Sequence, residues 1–104
     1  MTTTGFRVML TLNIHPGMER EFEQAWLAAD GDLTGQRANL GRWLLRSSTE
    51  DSVYFIISDW TDEPSFREFE NSEVHLTHRK KLHPYRSGGG FETMRVVYHR
   101  TDAG

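Results

Sequence analysis

The chain has no cysteine. That excludes a disulfide framework, a thiolate nucleophile and a zinc site built on sulfur. It has no apolar run near the roughly 20 residues that a membrane-spanning helix needs. Met1 to Gly5 reads as a short polar start rather than a signal peptide. There is no positive excess either, since 12 Lys and Arg stand against 15 Asp and Glu. No basic stripe interleaved with aromatics occurs, so neither nucleic acid nor a membrane is an expected partner. Nothing marks a Ser-His-Asp elbow, a flavin site or a nicotinamide site, and Gly88-Gly89-Gly90 lacks the strand–helix context of a phosphate loop. What remains is a cytoplasmic protein of 104 residues, expected to form a single domain over 1–104 with a modest core. Aromatics make up 12% of so polar a chain, which suits a pocket for a flat ligand.

The three prolines each mark a break in a periodic segment. Phe6 to Ile14 alternates apolar and polar residues and predicts a strand, closed by His15-Pro16-Gly17. Met18 to about Leu33 predicts a helix, with Met18, Phe22, Ala25, Trp26, Ala29 and Leu33 three or four apart. Leu40 to Ser47 predicts a second strand and Ser48 to Asp51 a hairpin turn. Val53 to Trp60 predicts a third strand, apolar on both faces, which asks for cover on both sides. Asp62 and Pro64 open a short helix, Asn71-Ser72 breaks and recaps it, and a second piece runs from Glu73 to Leu82. Arg86 to Gly90 reads as a flexible loop, Phe91 to Arg100 as the last strand and Thr101 to Gly104 as a frayed tail. The order is β-α-β-β-α-β, an α+β ferredoxin-like fold with helices on one face of an antiparallel sheet. A second subunit would cover the other face.

Trp60 ends the third strand where it turns into a capped helix. It either plugs the core or stacks on a flat ligand and offers one N–H donor. Tyr54 and Ser58 share its face and are candidates for the same pocket, with Phe66 on the helix that follows. Trp26, at helical spacing, reads as core. His75 and His78 lie three apart on one helix, and histidine is the natural base near neutral pH. They lack the carboxylate spacing of a zinc-binding helix, and no metal is expected. Arg46 and Arg42, on one face of the second strand, and Arg79 beside His78 are candidate anion holders, or else exposed cations.

Pro16-Gly17-Met18-Glu19 with Phe22, Leu40-Gly41, Tyr54 to Trp60, Pro64 with Phe66 and Phe69, Ser72 with His75, and Leu82 occur in order. Together they resemble the antibiotic biosynthesis monooxygenase family of dimeric α+β barrels, over about Phe6 to Tyr98. The resemblance implies a homodimer with packed sheets and a pocket in each subunit. It implies oxidation of an aromatic polyketide, from an anthrone-type ring to a quinone, with molecular oxygen as co-substrate and no cofactor. Trp60 matches the tryptophan that ends this strand in the family. Trp60, His75 and His78 would then be catalytic, and Tyr54, Ser58, Arg46, Phe66 and Arg79 would hold substrate. Oxygenating relatives carry an asparagine four residues before the tryptophan, where this chain has Ile56. Haem-degrading relatives use an asparagine in the first strand and a histidine about ten residues past the tryptophan. Here those places offer only Asn13, near the strand's end, and Glu70, so haem degradation is not expected. A polyketide cyclase or aromatase, and a non-catalytic aromatic-binding accessory protein, remain as alternatives on the same fold.

Overall fold

The structure, a computed structural model, describes residues 5–102. The first four residues of the polar start and the last two of the tail lie outside them. Strand β1 (Phe6–Ile14) leads into α1 (Glu19–Ala29), and one 3-10 turn (Asp30–Leu33) follows. Strands β2 (Asn39–Arg46) and β3 (Val53–Trp60) form a hairpin. Helices α2 (Glu63–Glu70) and α3 (Glu73–Leu82) come next, then a 3-10 turn (His83–Tyr85) and β4 (Arg86–Arg95). The four strands pair antiparallel in the order β2-β3-β1-β4, the ferredoxin-like arrangement. Among the described residues no helix is long and apolar enough to cross a membrane.

The capping residues act as their side chains predict. Asp62 accepts from the Ser65 amide at 2.8 Å and starts α2. Ser72 accepts from the His75 amide at 3.3 Å and starts α3. That second cap makes a bend where one longer helix would have run on, and it sets the angle at which α3 presents its histidines. Helix α1 ends at Ala29, four residues before the predicted limit. The last turn tightens to 3-10, and Leu33 stays buried at its end.

The alternation of β1 sends Phe6, Val8, Leu12 and Ile14 into the core under the helices. Register pairs Phe6 with Trp60, Val8 with Ser58, Leu10 with Ile56 and Leu12 with Tyr54. The apolar interior divides into two clusters. One gathers Phe6, Val8, Leu33, Trp60, Phe66 and Phe69. The other gathers Leu12, Ile14, Phe22, Trp26, Tyr54 and Leu82. On the opposite face of the sheet, Trp43, Leu45 and Met94 stay exposed.

One strand departs from expectation. Gly88, Gly89 and Gly90 are not a loop but the middle of β4, paired with Asn13, Leu12 and Thr11. Residues without side chains give no alternation to read, so the sequence pattern starts only at Phe91. Backbone pairing to β1 needs no side chain, and β4 therefore begins five residues earlier. It also ends at Arg95, leaving Val97 and Tyr98 outside the sheet and exposed.

Candidate functional site

A cavity of about 510 Å³ lies between the sheet and the helices, reaching from one apolar cluster to the other. That size suits a small planar ligand. Val8, Leu33, Trp60, Phe66 and Phe69 line it from the first cluster, and Leu12, Trp26 and Leu82 from the second. Leu10 and Ile56, paired across β1 and β3, line the sheet between them. Polar groups reach it from Ser58, Asn39, Arg42, His75, His78, Arg79, His83 and Arg86, and from Glu70, whose carboxylate is paired with Arg67.

Trp60 is 2% exposed, with Phe66 and Phe69 ring centroids at 5.4 and 5.0 Å. Its Nε1 donates to Ser58 Oγ at 3.0 Å. The ring is therefore a fixed wall, and its N–H is already used within the protein. Of the residues singled out in the sequence, Trp60, Ser58, Phe66, His75, His78 and Arg79 all line the cavity.

Tyr54 and Arg46 do not. Tyr54 is 1% exposed, meets Phe22 edge-on at 4.9 Å and donates its hydroxyl to Glu23 at 2.5 Å. Burial, reinforced by that acidic partner, pushes its pKa up to about 12. Arg46 sits over the Tyr54 ring at 5.5 Å and reaches Glu23 at 3.7 Å. Both belong to a structural group joining β2 and β3 to α1. The strand arginine that does line the cavity is Arg42, one face-repeat pair along at the Ser58 register. Asp30 grips its guanidinium at 2.5 and 3.0 Å, and Asn39 accepts from it at 2.9 Å.

The two histidines differ. His78 Nδ1 lies 3.1 Å from the Ala29 carbonyl and 3.6 Å from the Asp32 carboxylate. A carbonyl only accepts, so Nδ1 carries the proton in that bond and Nε2 is the basic nitrogen of the neutral ring. His75 packs edge-on against Phe69 at 5.1 Å, and its Nδ1 is buried without a partner among the described residues. Burial first, then the charges of His78 and Arg79, holds its pKa below the ordinary imidazole value. The His75 ring is therefore neutral at neutral pH. Arg79 and Arg86 have no ion-pair partner among the described residues, so the cavity carries an excess of donors.

Sequence reasoning missed Asp32, Asn39 and Arg86. Asp32 lies within the predicted span of the first helix, in its closing 3-10 turn, and is tied to α3 by Lys81 at 2.8 Å, a contact 49 positions apart with no local signal. Arg86 was hidden by the loop assignment. Among the described residues no cluster of three or more His, Asp or Glu side chains is arranged to hold a metal ion.

The fold and this cavity define a class of small α+β proteins with a cavity between sheet and helices. The antibiotic biosynthesis monooxygenase family matches residues 5–81, and the chain belongs to that family. Protein SchA of Streptomyces halstedii is 29% identical over 82 residues, covering 79% of this chain and 22% of that protein. The chain thus spans about a fifth of that relative's length. A candidate antibiotic biosynthesis monooxygenase of Caulobacter crescentus superposes with a TM-score of 0.81 at 20% identity, covering 92% of each chain. One from Bordetella bronchiseptica gives 0.81 at 20% identity, covering 90% of this chain and 98% of the other. At such identities the structures bear on the fold alone.

Proposed function

We propose that the protein is a cofactor-independent monooxygenase that converts an anthrone-type aromatic polyketide into the quinone. The observation that carries this is His78, its proton held on Nδ1 by Ala29 and its basic Nε2 without a hydrogen bond among the described residues, on the wall of an apolar cavity. His78 takes a proton from the ring methylene of the substrate. The resulting enolate is held by the cations of the cavity, Arg79 and Arg86. The enolate gives electrons to molecular oxygen and forms a carbon–oxygen bond. Loss of water from the peroxide leaves the new carbonyl, so one O₂ is consumed and one water released per quinone. Trp60, Phe66 and Phe69 keep the ring flat and exclude solvent. The reducing electrons are the substrate's own, the C–H pair released on deprotonation, and no cofactor is called for. Family membership and the size of the cavity support this reading.

The test is to incubate the purified protein with an anthrone in air and under argon. Quinone is expected in air, with stoichiometric oxygen uptake, and none under argon. One observation favours a second reading. Ile56 lines the cavity and offers no hydrogen bond where oxygenating relatives place an asparagine. Turnover that persists under argon identifies a cyclase or aromatase, and tight binding without turnover an accessory protein.

The same reading includes a homodimer. Trp43, Leu45 and Met94 expose apolar surface on the sheet face away from the helices, at 44%, 42% and 37%. Two such faces packed together remove it from water. Light scattering is expected to give a dimer for the native chain and a monomer for the double variant Trp43→Asp, Leu45→Lys. A native monomer would overturn the assembly.

A further inference from the structure

The chain has three tryptophans, and two of them line the cavity. Their N–H groups are in opposite states. Trp60 Nε1 is satisfied by Ser58. Trp26 is 7% exposed, and its Nε1 is buried with no hydrogen-bond partner among the described residues. An indole N–H is a donor only. Buried, it nearly always finds an acceptor, because leaving it unmade is costly. The neighbouring polar groups do find theirs: Tyr54 on Glu23, His78 on Ala29, Arg42 on Asp30. Among the described residues only His75 Nδ1, on α3, shares this state; Trp26 lies on α1, in the cluster that does not contain Trp60.

We infer that Trp26 is a specificity-determining residue, whose Nε1–H binds an acceptor oxygen on the edge of a planar aromatic ligand. This rests on the aromatic-substrate reading given above. The roles expected of the two indoles are thereby exchanged. Trp60 supplies a wall and Trp26 the hydrogen bond. A ligand with an oxygen at that edge satisfies the donor, and a bare hydrocarbon leaves it buried and unmade. Sites built in this way reject the analogue that lacks the polar atom. Arg79 and Arg86, unpaired among the described residues, favour an oxygen that carries negative charge, as a phenolate or enolate does.

The experiment uses 1,8-dihydroxyanthraquinone and anthracene as probes. Each is titrated into the native chain and into Trp26→Phe, which keeps the aromatic bulk and removes the donor. In the native chain, the three indole N–H resonances are followed by NMR as ligand is added. The Trp26 resonance is expected to move downfield with the quinone and to stay in place with anthracene. Trp26→Phe is expected to bind the quinone about tenfold more weakly, the loss of roughly one net hydrogen bond. It should bind anthracene as the native chain does, with Tm unchanged or raised, since an unmade donor has been removed. The resonance is read on the unaltered chain, so it decides even where the variant folds poorly. An unmoved Trp26 resonance with equal quinone affinity in the two proteins overturns the inference and leaves the aromatic-substrate reading standing. Failure of the quinone to bind the native chain overturns both.

Discussion

Replacing His78 with alanine is expected to lower anthrone turnover by about 10²- to 10⁴-fold, the range for loss of a positioned general base. The expectation follows from how the ring is held. Its Nδ1 is fixed by a backbone carbonyl at 3.1 Å, which cannot leave without unwinding the end of α1. The Asp32 carboxylate stands 3.6 Å from the same nitrogen. Lys81 holds the Asp32 carboxyl below the usual carboxylate range, so that charge persists. His75 cannot stand in with equal effect, because burial, and beside it the Arg79 guanidinium, disfavours its charged form. Rates are measured as quinone formed above the uncatalysed oxidation of the anthrone. Asp32→Asn is expected to lose less, roughly tenfold, since the carbonyl still orients the ring. Native-like turnover in His78→Ala would sink the base assignment, and a selective loss in His75→Ala would move it to that residue.

Much of this site was legible in the sequence, and the residues that were not share a reason. Period-two alternation correctly put Tyr54, Ser58 and Trp60 on one face of β3. Sharing a face is not sharing a cavity. Six residues of strand span about 20 Å, so Tyr54 and Trp60 fall in different apolar clusters. Arg46 follows Tyr54 through its register, and Arg42 follows Ser58. The choice between the two arginines therefore depended on the pairing of β2 with β3, which no local pattern states. The helix break at Asn71-Ser72 was legible because capping is local chemistry. Asp32 was not, because its partners lie on another helix. Trp26 was read as core from its helical spacing, and it is buried. Whether its N–H has a partner is a property of the folded interior alone. The apolar residues on both faces of β3 were legible too, and Phe55 and Ile57 lie half-buried on the face away from the helices.

Gly89→Ala is expected to destabilise the protein by about 3 kcal/mol or more, among the larger effects of a single substitution. A Cβ built on Gly89 would stand 1.9 Å from the Thr11 carbonyl oxygen and 3.0 Å from its carbon. Those atoms are backbone of β1, the central strand on which both β3 and β4 are registered. They cannot rotate away as a side chain would. Relief requires pulling β4 off β1 at the point where Gly89 pairs with Leu12. The neighbouring glycines provide the control. A Cβ on Gly90 meets nothing within 4 Å, and one on Gly88 meets only Asn13 Nδ2 at 3.6 Å, an ordinary contact. Gly90→Ala and Gly88→Ala are expected to stay within about 0.5 kcal/mol of the native chain, or to gain slightly from a less flexible unfolded state. In thermal melts Gly89→Ala should fall on the order of 15 °C below the other two. Equal melting temperatures for all three variants would show that β4 tolerates a side chain there. Gly89 also lines the cavity, so a strand displaced to accept the methyl group would deform the wall opposite the helices. Loss of stability and loss of ligand affinity are thus expected together at position 89, whereas at positions 88 and 90 neither should appear.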